Sequence, residues 1–488
     1  MKRLFGTDGM RGEAGRFPLD AETVRVTGGS LARHLMGRLG RAPLIVIGRD
    51  TRESGGWIER AFAEGASGAG AACESAGVIT TPGVAYLTRV LPADAGVVIS
   101  ASHNPYHDNG IKIFSPSGRK LDDATERLIE DDIRAAREAA GGGAAEAGGG
   151  AGGPSGEGRA DSASLPAGRG DEGRPESGAA SSTEPGAASS TGLRARYLDY
   201  LAAECGAGLR LDGLTLVVDC ANGAASDLAP ALFERLGARV VAVADAPDGR
   251  NINAGCGSLY TEELCRRVVA EGADLGVAFD GDADRALFSD ARGRLVDGDA
   301  TLWVLAGLMR SRGELEGDRV VATVMSNLGL EVALRAAGIG LLRTDVGDKY
   351  VLEELLRTGA TLGGEQSGHI ILPRLSLAGD GMLTALMLLR ALRERGRPLH
   401  ELTEGLVHYP QVLTNVRVRE KLPFAEVEEV ARAVRETEAQ LGEHGRLLLR
   451  YSGTEPLARV MIEGSSQEEI EGLAGRLAEV IGHHLGVQ

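Results

Sequence analysis

The chain has 488 residues, 43% of them hydrophobic, and its 69 acidic against 53 basic side chains give a formal net charge of −16. This length predicts two to four domains with real cores, and the acidic balance excludes a general nucleic-acid binder. No apolar run approaches membrane-spanning length, and the N-terminus lacks the apolar core of a signal peptide. We expect small-molecule partners, no nucleic acid and no membrane, while the oligomeric state stays open.

The five cysteines are scattered along the chain, and no two of them form a Cys-x-x-Cys pair. An odd number of unpatterned cysteines is typical of free thiols in a reducing compartment. The sequence therefore predicts a cytoplasmic protein.

Residues 1–137 alternate segments typical of helices with segments typical of strands. Asp20 is placed to cap a helix, and the apolar runs at 44–47 and 95–99 predict buried strands. This alternation predicts βαβ units and a mostly parallel sheet. The glycine-rich loop at 6–12 matches neither a P-loop nor a dinucleotide-binding fingerprint, so alone it is a weak signal.

The run Ser-Ala-Ser-His-Asn-Pro, from Ser100 to Pro105, follows the second of those strands and closes on an Asn-Pro turn. Ser102 is therefore expected just beyond the carboxyl end of a strand, where open α/β sheets place their ligand chemistry. A serine in such a turn more often bonds only the local backbone. The run alone leaves a catalytic and a structural role open.

Residues 138–192 differ from the rest in composition. From residue 141 onward they are Gly, Ala, Ser, Pro and scattered charges, with Leu165 as the single large aliphatic residue. The hexamer Gly-Ala-Ala-Ser-Ser-Thr occurs at 178–183 and again at 186–191. Such a segment cannot bury enough apolar area to offset its conformational entropy. We predict a disordered low-complexity linker or insert.

Residues 193–295 resume the α/β pattern with predicted strands at 214–218 and 240–243. A third apolar run, 275–279, leads into Asp-Gly-Asp-Ala-Asp-Arg at 280–285. Carboxylates at alternate positions share one side of an extended chain, and the small spacers let the backbone wrap closely around an ion. A divalent metal site is favoured over a solvated acidic turn.

A calcium EF-hand is excluded for this acidic run. Arg285 stands where the glycine of that loop is required, and Ala291 stands where its bidentate glutamate is required. The metal that the run would bind therefore belongs to another kind of site.

Residues 296–400 predict a third α/β unit, and 401–488 predict a smaller α+β domain ending in a helix at 467–485. The third unit contains the glycine-flanked polar run 363–369, which reads equally well as a sugar-hydroxyl site or as an ordinary turn. In the last domain, 450–456 follows a predicted strand. There hydroxyls, glycine and flanking arginines are suited to hold an anion, and a hairpin turn is the alternative.

Taken together, the motifs at 6–12, 100–105, 280–285, 364–369 and 450–456 resemble, in this order, the α-D-phosphohexomutase superfamily. The resemblance covers nearly the whole chain outside the insert. Within the superfamily it is strongest to the enzymes that interconvert glucosamine 6-phosphate and glucosamine 1-phosphate. It implies a four-domain α/β architecture, with three related mixed α/β domains and a smaller α+β C-terminal domain around a central cleft.

The resemblance also implies roles for individual residues of this chain. Ser102 would be the phosphoserine, and one Mg²⁺ would be held by its phosphate together with Asp280, Asp282 and Asp284. Lys112 and His369 would be acid/base groups, while Arg11 and Arg285 would stabilise the transferring phosphoryl group. Substrate contacts would come from Glu365, Ser367, Lys349, Arg450, Ser452, Gly453, Thr454 and Arg459. A sugar 1,6-bisphosphate would be the intermediate and activator, and small-molecule sugar phosphates the partners.

Two features depart from the family pattern. Lys349 stands where an arginine is more usual, which keeps the charge but not the two-pronged fork. The 138–192 insert is also longer and more repetitive than the usual connection. Three alternatives remain: a phosphomannomutase or phosphoglucomutase of the same superfamily, a metal-dependent sugar phosphatase, and a sugar-phosphate sensor without activity. Gln366 favours glucosamine through resemblance alone.

Overall fold

The structure is a computed structural model that describes residues 3–6, 8–146, 185–452 and 455–487. Its first unit is a six-stranded sheet in the order β1-β2-β6-β5-β3-β4. The strands are β1 (Phe5–Gly6), β2 (Gly9–Glu13), β3 (Leu44–Arg49), β4 (Ala72–Val78), β5 (Ala95–Ile99) and β6 (Asp108–Phe114). The helices are α1 (Ala21–Leu39), α2 (Gly55–Gly68), α3 (Thr81–Val90) and α4 (Asp123–Glu146). The predicted cap is confirmed, because the Asp20 carboxylate accepts from Thr23 N.

The second unit is a five-stranded sheet in the order β11-β10-β9-β7-β8. It begins with α5 (Pro185–Asp199), which runs directly into a π-helical turn (Tyr200–Cys205). The strands are β7 (Thr215–Asp219), β8 (Arg239–Val243), β9 (Leu275–Phe279), β10 (Ala286–Asp290) and β11 (Leu295–Val296), and the helices between them are α6 (Leu228–Arg235) and α7 (Thr261–Glu271). The predicted strands of this unit are confirmed to within a residue or two at their ends.

The third unit is a four-stranded sheet in the order β13-β12-β14-β15. Its strands are β12 (Arg319–Thr323), β13 (Gly340–Thr344), β14 (Gly363–Gly364) and β15 (Ile370–Ile371). Its helices are α8 (Gly298–Ser311), α9 (Leu328–Ala336), α10 (Asp348–Thr358), α11 (Gly381–Arg395) and α12 (Leu399–Leu402).

The C-terminal unit is a three-stranded antiparallel sheet in the order β16-β18-β17, covered by two helices. The strands are β16 (Gln411–Arg417), β17 (Gly445–Tyr451) and β18 (Leu457–Gly464), and the helices are α13 (Glu428–Leu441) and α14 (Gln467–Leu485). The predicted terminal helix is confirmed with the same bounds. The unit has a hydrophobic core of its own, whereas one core spans the other three units, each of which also has a separate cluster.

The first three units repeat one arrangement of four strands. In each, a central strand (β3, β7 or β12) lies between two parallel neighbours, and one of those neighbours pairs with an antiparallel strand. The antiparallel pairs are β5 with β6, β9 with β10, and β14 with β15. The serine, acidic and polar motifs each occupy the connection within one of these pairs. Equivalent strands of the three sheets therefore present the three motifs at their carboxyl ends.

The predicted bounds of the low-complexity segment, 138–192, are wrong at both ends. Helix α4 continues to Glu146, and α5 already begins at Pro185 and packs against β4 and α3. The predicted start at 138 therefore falls inside a helix, although the glycines at 141–143 have a low helix propensity. The rest of the predicted linker, 147–184, lies outside the described residues.

The five cysteines are free thiols, as their spacing predicts. Among the helices of the described ranges, none combines the length and the apolar character needed to cross a membrane.

Candidate active site

Ser102 is buried where the first two units meet. It follows β5 in the left-handed conformation, with φ 53°, and only 1% of the residue is exposed. Its backbone N–H donates to Ser100 Oγ at 2.9 Å, and its hydroxyl donates to Asp280 Oδ2 at 2.5 Å. The serine hydroxyl of the first unit thus lies directly against the acidic loop of the second.

Asp280, Asp282 and Asp284 form a compact carboxylate cluster. One oxygen from each lies within 4.8 Å of the others, and all three residues are buried. Burial and the charges of Asp284 and Asp282 raise the pKa of Asp280 well above its usual range. Three buried carboxylates at this separation repel one another. A cation at this position would relieve that repulsion.

The donor set fits a hard divalent cation. Asp282 Oδ1 and Asp284 Oδ1 are buried, and neither has a hydrogen-bond partner in the described part of the chain. Buried carboxylate oxygens are rarely left unpaired. Oxygen-only ligands with room for water or a phosphate oxygen are what Mg²⁺ prefers. These residues are therefore suited to hold Mg²⁺.

Lys112 is the basic partner of the acidic loop. Its Nζ lies 2.8 Å from Asp282 Oδ2 and 3.3 Å from Asp284 Oδ2, and 2% of the residue is exposed. Burial opposes the charged form of this amine, but Asp282 and Asp284 outweigh burial and raise the pKa of Lys112. Thr81 Oγ1 donates to the same Asp282 oxygen at 2.5 Å. The amine is therefore held protonated and in place.

Arg11 and Arg285 place two positive charges close to Ser102 and its neighbour His103. Burial and the charges of Arg285 and Arg11 lower the pKa of His103, whose Nδ1 lies 3.3 Å from Ser102 Oγ. The Nε of each arginine is buried without a hydrogen-bond partner in the described ranges. Both guanidinium groups retain donors for an anion at this centre.

His369 is held in one orientation by its neighbours. Its Nε2 accepts from Gly379 N at 3.1 Å, so the proton of the neutral ring lies on Nδ1. Nδ1 is 3.8 Å from Asp284 Oδ1, and Nε2 is 3.8 Å from Asp348 Oδ2. The imidazole therefore lies between the acidic loop and the start of α10.

A cavity of about 420 Å³ opens beside this centre. Its polar lining includes Lys112, Asp284, His369, Asp348 and Lys349, and Phe114, Leu352 and Leu356 contribute apolar walls. This volume is in the range of small-ligand sites. The cavity joins the first three units, and none of its lining residues belongs to the described part of the C-terminal unit.

The polar run between β14 and β15 is only partly directed at this cavity. Glu365 Oε1 accepts from Gly347 N at 3.0 Å, and the buried Ser367 Oγ has no partner among the described residues. Neither residue lines the cavity. Gln366 donates to Asp297 Oδ2 at 3.3 Å, which directs its amide to the cap of α8.

Lys349 lines the cavity but already has a partner. Its Nζ lies 2.8 Å from Asp123 Oδ1, at the start of α4. The lysine thus ties the third unit to the first. Its predicted contact with substrate phosphate stays a prediction.

Two arginines flank the C-terminal loop, residues 452–456, one on each neighbouring strand. Arg450 on β17 is directly opposite Arg459 on β18. Arg459 Nη2 lies 3.5 Å from both Ser452 Oγ and Glu455 Oε2. Burial and the charge of Arg459 lower the pKa of Arg450. Gly453 and Thr454, which were predicted to contact phosphate, lie outside the described residues.

Two residues of the cavity wall were missed by the sequence analysis. Thr81 opens α3 in a Thr-Thr-Pro run, which is a helix-start signal. Asp348 stands next to Lys349, at the start of α10. Burial opposes its charge, yet Lys120 at 2.8 Å outweighs burial and lowers the pKa of Asp348.

Comparison with known proteins places this geometry in a family. Models of phosphoglucomutase/phosphomannomutase match residues 2–140 (alpha/beta/alpha domain I), 195–293 (alpha/beta/alpha domain II), 297–409 (alpha/beta/alpha domain III) and 413–480 (C-terminal domain). The chain therefore belongs to the phosphoglucomutase/phosphomannomutase family and is an isomerase.

Relatives that match over their full length have a more specific name than the family models. Phosphoglucosamine mutase of Solibacter usitatus is 48% identical over 485 residues, which cover 99% of each chain. Phosphoglucosamine mutase of Nocardia farcinica is 47% identical over 481 residues, again 99% of each chain.

Solved structures share the fold at lower identity. A phosphoglucomutase/phosphomannomutase family protein from Burkholderia thailandensis superposes with a TM-score of 0.75 at 23% identity, covering 99% of this chain and 97% of that one. Aspergillus fumigatus N-acetylphosphoglucosamine mutase, in complex with GlcNAc-6P and magnesium, gives a TM-score of 0.58 at 18% identity, covering 98% and 95%.

Proposed function

We propose that this chain is a phosphoglucosamine mutase that interconverts glucosamine 6-phosphate and glucosamine 1-phosphate. The observation that carries the proposal is the contact of Ser102 Oγ with Asp280 inside the carboxylate cluster, beside Lys112. The relatives at 44–48% identity bear the same name. A cytoplasmic location and supply of the product to UDP-N-acetylglucosamine synthesis are parts of the same proposal.

The proposed reaction is a pair of phosphoryl transfers. The phosphoryl group on Ser102 Oγ passes to the free sugar hydroxyl, whose proton ends on Ser102 Oγ, and the sugar becomes a 1,6-bisphosphate. After the sugar turns over in the cleft, its other phosphoryl group passes back to Ser102 Oγ and the proton returns to the sugar oxygen. Phosphoryl transfer of this kind depends on positioning and charge neutralisation.

Charge neutralisation falls to residues around Ser102. Mg²⁺ held by Asp280, Asp282 and Asp284 would neutralise phosphate oxygens and orient the group for transfer. Arg11 and Arg285 would pair with the remaining oxygens, because their guanidinium groups retain free donors. A phosphoserine carries about −1.5 to −2 charge at neutral pH, so several positive groups are required.

Lys112 and His369 are the proposed acid/base pair. Lys112 is held protonated against Asp282, which suits it to donate a proton or to stabilise the leaving oxygen. His369 presents Nδ1 toward Asp284, at the margin of the cavity. The two groups flank the space that a sugar hydroxyl would enter.

The remaining contacts are proposed for the rest of the substrate. Glu365 and Ser367 would bind ring hydroxyls, and the unpartnered Ser367 hydroxyl supports that role. Arg450, Ser452, Gly453, Thr454 and Arg459 would hold the phosphate that does not react, with Lys349 contributing charge. A plain phosphatase has no need of this second phosphate site, so the mutase is favoured over the hydrolase.

The choice of glucosamine is carried by the relatives and not by one contact. Gln366, the residue that favoured glucosamine by resemblance, bonds Asp297 in this structure. Its amide is therefore directed to the start of α8. Discrimination of about 10²-fold needs only about 2.7 kcal/mol of differential transition-state binding, which one or two polar contacts supply.

The test is kcat/KM for the 6-phosphates of glucosamine, glucose and mannose under one set of conditions. We expect glucosamine 6-phosphate to be preferred by at least ~10²-fold, a ratio within reach of binding discrimination. Ser102→Ala should abolish turnover, while Ser115→Ala, at a half-buried serine bonded to Ser117, should retain it. Preference for glucose or mannose 6-phosphate would overturn the substrate assignment, and an active Ser102→Ala would overturn the mechanism.

A further inference from the structure

Two side chains that the mechanism above does not use form hydrogen bonds with the backbone of the serine loop, which is residues 100–105 after β5. Arg52 Nη2 donates to Ser102 O at 3.1 Å and to Asn104 O at 2.5 Å. Asn253 Nδ2 donates to the same two carbonyl oxygens, at 2.9 and 3.1 Å. Each oxygen therefore accepts from both side chains.

The two donors come from different units of the protein. Arg52 follows β3, the strand beside β5 in the first sheet, whereas Asn253 precedes α7 in the second unit. Asn253 is itself in the left-handed conformation, with φ 55°, and its N–H donates to Ala221 O at 2.9 Å. The serine loop is fully bonded only when the two units are docked against each other.

The Arg52 guanidinium is fully buried and paired inside the protein. Its side chain is 0% exposed, and it pairs with the equally buried Asp50, whose Oδ1 also accepts from Arg52 N at 2.9 Å. Asp50 neutralises the charge, so the arginine acts here as a fixed pair of donors. Such a partner offsets much of the cost of burying a charge, and the guanidinium Nε is the nitrogen left without a hydrogen-bond partner among the described residues.

The acidic loop, residues 280–285, packs against the same carbonyl oxygen of Ser102. A Cβ at Gly281 would lie 2.6 Å from Ser102 O and 3.0 Å from Asn253 Nδ2, so only glycine allows this approach. Asp280, the residue before Gly281, is the one that accepts a hydrogen bond from Ser102 Oγ. The carbonyl of Ser102 is thus the point where the serine loop, the acidic loop and the two donors are packed together.

We propose that Arg52 and Asn253 are positioning residues for the phosphoryl-carrying serine. They hold Ser102 in its left-handed conformation, which is uncommon for a residue with a Cβ, and so fix Oγ against the acidic loop. The proposal rests on the assignment of Ser102 above. It makes serine geometry depend on the docking of the second unit, since one of the two donors belongs to it.

Two variants remove the donors with little other change. Asn253→Gly deletes the amide where glycine adopts the positive φ without strain. Arg52→Lys keeps the charge against Asp50 but loses the planar fork. Thr51→Val is the matched control, because Thr51 Oγ1 donates to Asn222 O at 2.6 Å across the same contact between units without touching the serine loop.

The measurements are kcat, KM, melting temperature, and the rate at which phosphate on Ser102 is lost to water, followed by intact mass. Misplacement of a reacting group by about 1 Å is enough for a ~10²-fold loss of rate. We expect kcat to fall about 10-fold in Asn253→Gly and about 10²-fold in Arg52→Lys, with KM within about twofold. The rate of phosphate loss should change in both variants, and Thr51→Val should keep all three kinetic values.

Variants that only lower the melting temperature, with kcat per folded enzyme and phosphate loss unchanged, would overturn the inference. If Arg52→Lys does not fold, Asn253→Gly decides alone, since its substitution leaves the Arg52–Asp50 pair in place. A wild-type chain that takes no phosphate on Ser102 from a sugar 1,6-bisphosphate would instead overturn the proposed function. The two failures are therefore distinguished by the wild-type sample.

Discussion

Charges are balanced differently in two regions: the serine centre, which is Ser102 with the charged side chains around it, and the C-terminal loop with its two flanking arginines. Around Ser102, acidic and basic side chains lie against one another inside the protein, as the 2.8 Å contact of Lys112 with Asp282 shows. At the C-terminal loop, Arg450 and Arg459 are side by side, and Glu455 at 3.5 Å is the acidic partner that the described residues supply. The first region is organised before any ligand arrives, and the second retains positive charge for one.

This difference fits the chemistry proposed for each region. A group that transfers phosphate must be fixed in advance, because reorganisation during the reaction slows it. A region that holds the unreactive phosphate must release it after each cycle, and unneutralised arginines bind an anion reversibly. The contrast predicts that substitutions at the serine centre lower kcat, whereas substitutions in the loop raise KM.

After Ser102→Ala, the largest expected effect is that of Asp280→Asn. Removing one charge should lower kcat by roughly 10³-fold, since charge stabilisation at the transferring group is lost. The same change relieves repulsion from Asp284 and Asp282, so the melting temperature without metal should stay the same or rise. Added Mg²⁺ should raise the melting temperature of the wild type much more than that of the variant.

Asp227→Asn is the control for that prediction, because Asp227 is an aspartate of the second unit that pairs with Arg194 at 2.8 Å, away from the cluster. It should keep both the activity and the response to Mg²⁺. An Asp280→Asn protein with wild-type kcat and an unchanged response to Mg²⁺ would contradict the metal assignment.

An intermediate effect is expected from Arg450→Gln. Loss of a charge-assisted hydrogen bond to phosphate, worth about 1.5–3 kcal/mol, should raise KM roughly 10- to 100-fold with little change in kcat. Like charges directly opposite in an antiparallel pair are destabilising, so the melting temperature should rise slightly. Arg417→Gln, at an exposed arginine of the same sheet, should change neither KM nor kcat. A fall in kcat at constant KM would place Arg450 in the transfer step instead.

The smallest expected effect lies outside both regions, at Asp299. Burial and the charge of Asp297 raise the pKa of Asp299 to about 7. The folded protein favours the protonated form of a carboxyl whose pKa is raised. The stability contributed by this carboxyl is therefore fully present below its ordinary pKa, ~3.9, and is lost as the pH rises to about 7.

Asp299→Asn should remove that dependence and keep the acceptor for Asn327 N, now 2.7 Å from Asp299 Oδ2. The melting temperature of the variant relative to the wild type should therefore increase between pH 5 and pH 8, by roughly 1 °C for each kcal/mol gained in a chain of this length. A difference that does not vary with pH would show that Asp299 does not titrate in this range.

Much of the fold follows from local sequence. The apolar runs before Ser102 and Asp280 predict β5 and β9 with the observed bounds, because a buried parallel strand is a short continuous apolar run. The cap at Asp20 is equally local. What local sequence does not predict is that α4 continues through the glycines at 141–143, since glycine has a low helix propensity.

The site was predictable where the chemistry is carried by a motif. Ser102 and the three aspartates are brought together as expected. Residues that act through distant contacts give no local signal. Arg52 is 50 positions from Ser102, and Asn253 is 151 positions away, yet both bond its carbonyl. Only the packing of two sheets brings these donors together.

The most direct test of the account is the position of the phosphate on the enzyme. The purified chain is incubated with a glucosamine or glucose 1,6-bisphosphate and Mg²⁺, and its peptides are then mapped by mass spectrometry. We predict one phosphate, on Ser102, which is still present after turnover of glucosamine 6-phosphate, because each cycle returns a phosphoryl group to the serine, and which is absent from Ser102→Ala. Phosphate on Ser100, or a Ser102→Ala protein that still turns over glucosamine 6-phosphate, would contradict the central claim.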